Sequence, residues 1–234
     1  SILIDGHCET SQIEAGGDVI IRKGCQGKGL GKIIAGKSIV GQFFESAVLT
    51  AGKDVQATYL LNCQLKANGK LLVEGRKGVI IGGKTCAKLG ISCNGIGNIA
   101  EIATVVSVGI DKEDMTAYQE LQKKIEQTQA ELQTCENGLN KLMANPVHDE
   151  KVSMMIQRLT RAVYTLKSSR KELFSERNAQ MEQMTKQKEA RIQVSGRAYP
   201  GTLLFLNEDP FAIKEIYNNV EFVKHDNRID TLAH

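Results

Sequence analysis

Apolar residues in the first ninety positions fall two apart on either side of a short glycine-bearing phrase, and that phrase recurs. Ile13-Glu14-Ala15-Gly16-Gly17-Asp18-Val19 is followed by Ile33-Ile34-Ala35-Gly36-Lys37-Ser38-Ile39. Leu49-Thr50-Ala51-Gly52-Lys53-Asp54-Val55 and Leu65-Lys66-Ala67-Asn68-Gly69-Lys70-Leu71 come next. A degenerate copy is expected at Val79-Ile80-Ile81-Gly82-Gly83-Lys84-Thr85, which places its anchor at Ile81 and turns Val79, Ile81, Thr85 and Ala87 inward. Spacing of two puts Leu65, Ala67, Leu71 and Val73 on one face of a strand, and the glycine-bearing pair supplies a tight corner. One unit of strand, corner and strand cannot bury its apolar face alone. Stacked ~4.8 Å apart, successive units pair their backbones and build a core from ladders of like residues.

The pattern therefore predicts a mainly β fold, a parallel β-helix. The spacing of 16 between Ala35, Ala51 and Ala67 is not a multiple of the six-residue phrase of left-handed β-helices, which predicts the right-handed kind. Extra residues around Gly24-Cys25-Gln26-Gly27-Lys28-Gly29 predict a loop bulging from one coil.

After Gly109 the period changes. Tyr118, Ile125, Leu132 and Leu139 alternate with Leu121, Thr128, Cys135 and Leu142 at spacings of three and four, the seam of a coiled coil. Asn145-Pro146-Val147-His148 predicts a turn, with Asp149 as the N-cap of a second helix. In that helix Val152, Met155, Leu159, Val163, Leu166, Leu173, Met181 and Met184 are expected to face inward. A short connection between long helices predicts an antiparallel hairpin, roughly 50 Å long at 1.5 Å per residue. Residues 111–144 carry seven acids against four lysines, a net −3, and residues 150–190 carry nine bases against five acids, a net +4. Opposite charge favours their pairing.

The strand pattern returns at Ile192, and residues from Thr202 onward predict a closing coil or cap. The expected organisation is a β-helix domain of residues 1–110 plus 191–234, interrupted by an inserted coiled-coil hairpin of residues 111–190.

Composition narrows the function classes. No run approaches a ~20-residue membrane span and no signal peptide is visible. A net charge of +3 with five Tyr and six Phe gives neither a basic stripe nor a stacking platform, so no nucleic acid is expected. The six cysteines contain no Cys-x-x-Cys pair and predict reduced, mostly buried thiols, hence a cytoplasmic location. His7, His148, His225 and His234 show no metal spacing. Ser1 opens on strand-like sequence, and a longer parent chain or a trimmed one is expected.

Three fragments resemble catalytic or binding motifs. Gly31 to Ser38 matches the phosphate-binding loop, but that chemistry needs free amides between a buried strand and a helix. The sibling phrases make the match a solenoid corner. Gly95-Ile96-Gly97-Asn98-Ile99-Ala100 imitates a dinucleotide fingerprint without room for the surrounding βαβ unit. Asp18 and Asp54 share one corner position two coils apart, about 10 Å on ~4.8 Å rungs, a spacing compatible with an inverting carboxylate pair. Asp after Gly is also ordinary turn chemistry.

The Ala-Gly-Gly-Asp-Val repeats, the phrase Gly75-Arg76-Lys77-Gly78-Val79-Ile80-Ile81-Gly82-Gly83, a coiled-coil insertion, and Val194-Ser195-Gly196 with Tyr199-Pro200-Gly201 occur in that order. This order closely resembles the bacterial flagellar assembly protein A family across nearly the whole chain. The resemblance implies a cytoplasmic β-solenoid with a helical hairpin, and no known catalytic residues. Bactofilins resemble the solenoid part and polymerise end to end.

The expectation is a non-enzymatic scaffold that meets a protein partner or another copy of itself through solenoid surfaces and a coiled-coil arm. Catalytic, cofactor-binding and metal-ligating residues are expected to be none, as are a cofactor and a small-molecule substrate. The alternative is a carbohydrate-active enzyme on a right-handed β-helix. A nucleotide-regulated switch comes third.

Overall fold

The computed structural model describes residues 1–75, 77–144, 149–226 and 228–233. The chain divides into two compact units, Ser1–Asp111 with Thr185–His234, and Lys112–Met184. The first holds the strands: β1 (Ile2–Ile4), β2 (His7–Glu9), β3 (Gln12–Ala15), β4 (Val19–Ala35), β5 (Ile39–Ala51), β6 (Val55–Ala57), β7 (Tyr59–Ala67), β8 (Leu71–Val73), β9 (Val79–Ala87), β10 (Ile91–Ile96) and β11 (Thr104–Val108). Helices α1 (Lys112–Met143) and α2 (Glu150–Lys188) follow, then β12 (Ile192–Ala198), β13 (Thr202–Leu206), β14 (Asp209–Ala212), β15 (Tyr217–His225) and β16 (Arg228–Ala233).

Each coil pairs in parallel with the next, so equivalent side chains stack into ladders. Ala15, Ala35, Ala51, Ala67 and Ala87 form one such row, continued by Val108 and Leu206. Val19, Ile39, Val55, Leu71, Ile91 and Ile192 form another. Ile33, Leu49 and Leu65 form a third, and all of these residues are buried except Ala15, which is half-buried. The ladders account for the two-residue spacing in the sequence, because alternate side chains of a strand share one face.

The structure adds a stretch to the predicted unit. Between the Ala-bearing strand and the one after the corner lies a third, which stacks Cys8, Cys25, Phe44, Leu60, Ile80 and Ile96. A second corner precedes the Ala-bearing strand, marked by positive φ at Thr10, Ser46, Asn62 and Gly82. That corner corrects the fifth repeat. Gly82-Gly83 belongs to it, and the true fifth anchor is Ala87, in register with Ala67. Ile80 is accordingly the fully buried residue, while Val79 and Ile81 are half-buried. The expected bulge near Gly24–Gly29 is present as register shifts after Ile21 and Gln26, with Leu30 69% exposed.

The far end of the stack is closed. β14 and β15 run antiparallel to β13 and β12, which breaks the repeat. Phe222 sits in register on Ile192, Tyr217 on Ala198, and Phe211 on Leu204, so an aromatic ring ends three of the core ladders, while Leu206 at the end of the Ala row pairs with Asp209. The three rings meet with centroids 5.6–6.3 Å apart in tilted and edge-on geometry. β16 then pairs antiparallel with β15.

The second unit is the helical hairpin. Leu121, Ile125 and Leu132 are buried, and Tyr118, Thr128, Cys135, Leu139 and Leu142 are half-buried, which is the seam expected for α1. Asp149 Oδ1 accepts the Val152 N–H at 2.8 Å, the predicted N-cap of α2. Residues 145–148, which carry the predicted proline turn, lie outside the described residues. The α2 seam differs from expectation. Ile156, Leu159, Val163, Leu166, Arg170, Leu173, Arg177, Gln180 and Met184 are half-buried at strict three-four spacing. Met155 and Met181 turn outward, 56% and 57% exposed. The seam includes arginine and glutamine that no apolar pattern could mark.

Candidate interaction surfaces

The corner that imitates a phosphate loop uses its own amides. Gly36 N–H donates to Ala15 O at 2.7 Å, Lys37 N–H to Gly17 O at 3.2 Å, and Ile39 N–H to Asp54 O at 3.0 Å. Ser38 N–H donates to Asp18 Oδ1 at 3.1 Å. A phosphate cradle needs such groups free and converging on one point. Here they point along the stack and bond the neighbouring coils. Gly95-Ile96-Gly97 lies in and just after β10, where Gly95 N–H donates to Gly78 O and Gly97 N–H to Ile80 O.

The two corner carboxylates are used in the same way. Asp54 Oδ1 accepts the Lys70 N–H at 2.7 Å, as Asp18 accepts from Ser38. The Ser38 amide holds the Asp18 carboxyl below the usual carboxylate range, with Lys37 adding to the effect. An inverting pair needs one carboxyl raised so that it carries a proton at working pH. Asp18 is not raised, and the amide bonds from Ser38 and Lys70 make Asp18 and Asp54 braces between coils.

Burial pushes the Cys25 thiol up to about 11 and the Cys93 thiol to about 12. Cys8, Cys25, Cys63 and Cys93 are buried free thiols, Cys86 and Cys135 half-buried ones. A thiol held protonated is a poor nucleophile and a poor metal ligand. Among the described residues no group of three or more His, Cys, Asp or Glu converges as a metal site.

What remains is the hairpin. Its two helices bridge on one side, where Lys167 Nζ meets Glu136 Oε1 at 2.8 Å and Arg170 Nη1 donates to Gln129 Oε1 at 3.1 Å. Near the open end of the hairpin Gln180 Nε2 donates to Asp114 O at 3.5 Å. On another side the helices leave a groove of about 680 Å³ lined by Ala130, Glu131, Thr134 and Cys135 of α1 and Ala162, Thr165 and Leu166 of α2. Small side chains make this groove. The exposed Met155 continues the same face toward the turn, two helical turns before Ala162. The seam prediction for α1 located its floor at Cys135, but the walls of Ala and Thr carried no periodic apolar signal.

The insertion itself begins and ends at a solenoid corner. Where other coils run from Ala through a glycine-bearing pair, the chain leaves after Val108-Gly109-Ile110 and returns at Ala190-Arg191-Ile192. Asn207, on the next coil, fastens both legs: its Oδ1 accepts the Ile110 N–H at 2.9 Å and its Nδ2 donates to Lys188 O at 3.2 Å. Asp111 stands 3.7 Å from Lys88 and 3.9 Å from Lys66. Asn207 has φ +50, a left-handed conformation that asparagine tolerates, and that preference after a strand is the one sequence trace it leaves.

No helix among the described residues is long and apolar enough to cross a membrane. A family model described as the flagellar assembly protein A beta solenoid domain matches residues 1–229. No curated protein and no solved structure matches the chain.

Proposed function

This chain belongs to the flagellar assembly protein A β-solenoid family, and from that premise we propose that it is a non-enzymatic scaffold for protein–protein interaction. The observation that carries this reading is the insertion of a two-helix arm at a solenoid corner whose neighbours are all fastened to one another by backbone hydrogen bonds. The solenoid, residues 1–110 plus 191–234, serves as a frame. Residues 111–190 serve as the arm that docks a protein partner or a second copy. Buried protonated thiols favour a reducing compartment, so the proposed location is the cytoplasm.

The carbohydrate-active alternative is not favoured, because Asp18 and Asp54 are engaged as corner braces. The cap of β14, β15 and β16 breaks the parallel repeat at that end of the frame, which disfavours simple end-on continuation of the coils.

Light scattering and affinity capture with the full chain and with residues 112–189 deleted test the reading. Association or a captured partner is expected to depend on the arm. If neither changes on deletion, the scaffold reading fails.

A further inference from the structure

The grooved face of the hairpin has a geometry that selects its occupant. Two antiparallel helices of 32 and 39 residues extend at least about 48 Å at 1.5 Å per residue. With helix axes 8–10 Å apart, one face of the pair offers about 900 Å², close to the ~800 Å² per partner of a standard stable interface. The groove side is lined by Ala130, Thr134, Ala162 and Thr165. Side chains this small let a facing helix approach, which is what a four-helix packing needs.

Charge then separates the possible arrangements. α1 carries four lysines against six carboxylates, and α2 nine bases against four. Two hairpins stacked face to face about a two-fold axis perpendicular to their helices would lay α1 on α1 and α2 on α2. A two-fold axis parallel to the helices lays each α1 on the partner's α2, acidic helix on basic helix. The cross-helix contacts Gln129–Arg170 and Glu136–Lys167 fix the levels along the arm. At those levels Lys124 of one copy comes opposite Glu176 of the other, and Thr134 comes opposite Thr165. Both Lys124 and Glu176 are exposed.

Building on the scaffold reading, we infer that the grooved face of the hairpin binds a second copy of this chain, closing a four-helix bundle about a two-fold axis parallel to the helices. Each α1 lies antiparallel to both of its α2 neighbours, so the helix dipoles are opposed as well. The exposed Met155 lies on this face toward the turn.

The test uses the full chain in sedimentation equilibrium. The wild type is expected to dimerise. Ala162→Arg, outside the seam, is expected to weaken dimerisation about a hundredfold, with helical circular dichroism confirming that the arm is intact. Lys124→Glu and Glu176→Lys are each expected to weaken it about tenfold. Mixing those two variants is expected to restore the dimer, because both contacts of the mixed pair again join opposite charges. That rescue can only arise between chains. A wild type that stays monomeric overturns the inference, as does a dimer untouched by Ala162→Arg, or charge variants that mixing does not rescue. Capture of a different protein that still requires residues 112–189 would leave the scaffold reading standing while this inference falls.

Discussion

Glycine at the repeated corner is required by the neighbouring coil, and a matched set of substitutions measures how strongly. A Cβ on Gly52 would stand 2.2 Å from Gly36 O, and one on Gly36 would stand 2.4 Å from Gly16 O. A Cβ on Gly16 meets nothing within 4 Å. None of the three has positive φ, so the comparison isolates the approach of one coil to the next. Ordinary contact begins near 3.4 Å, so Gly36→Ala and Gly52→Ala each demand a shift of about 1 Å. If the coils part by that much across ~4.8 Å rungs, the bonds Gly52 N–Ala35 O at 2.9 Å and Lys53 N–Lys37 O at 3.0 Å are lost. Two backbone bonds are worth ~1 kcal/mol each net. If the coils hold, overpacking costs ~1–3 kcal/mol. The cheaper response sets the outcome, so each variant is expected to lose about 2 kcal/mol. Gly16→Ala is expected to be neutral or to gain ~0.4–1 kcal/mol through the unfolded chain. Urea unfolding followed in the strand band of circular dichroism gives the three values, and hydrogen exchange at Gly52 and Lys53 locates the damage. Equal stabilities for all three variants would refute the argument.

Two further outcomes follow from the corner brace and the polar seam. The depressed Asp18 carboxyl, held down first by the Ser38 amide, contributes stability that is full above its unfolded value of ~3.9 and lost as pH falls through its lower folded value. The urea midpoint of Asp18→Asn should therefore lie below wild type near neutrality and converge on it as pH falls through that lowered value; a gap that widens in acid would contradict the assignment. In the hairpin, Arg177 is half-buried with its Nε unpartnered and its guanidinium 4.6 Å from the Phe174 ring. Arg177→Leu should raise the thermal midpoint of the helical signal, by about 1 kcal/mol of stability, and a lowered midpoint would show that the arginine stabilises the seam.

The parts legible in the sequence were those where one physical demand fixed one residue type. Ala at the tight corner and Leu, Ile or Val beside it repeat because stacked coils offer each position the same space. The α1 seam was legible because eight of its positions hold residues that follow the heptad. The sequence pattern misleads where two demands share a residue. Gly82-Gly83 looked like the next Ala-Gly corner because both corners use glycine, and the extra residues between Val73 and Val79 moved the true anchor to Ala87. Arg170, Arg177 and Gln180 hid the α2 seam because long polar side chains can lie along a half-open interface with their heads in water. That loss made Met155 look like an inward residue when it belongs to the outer face. The groove was hidden for a simpler reason: it is defined by what Ala130, Thr134, Ala162 and Thr165 lack.

The placement of the arm at a corner also orders the folding reaction. Most neighbouring coils are joined by loops of about 16 to 20 residues, as for Val55 and Leu71 or Leu71 and Ile91. Ile192 has to find Ile91 across the whole insertion, which raises the closure entropy by roughly 1.6 kcal/mol relative to a 16-residue loop. Helical hairpins zip within microseconds from local contacts, whereas long-range strand pairing is slow. Once α1 and α2 have paired, the ends of the insertion are held together and the long loop becomes a short one. The final coil and its aromatic cap are therefore added after the arm has formed, and substitutions in the α1–α2 seam should slow solenoid completion from outside the solenoid.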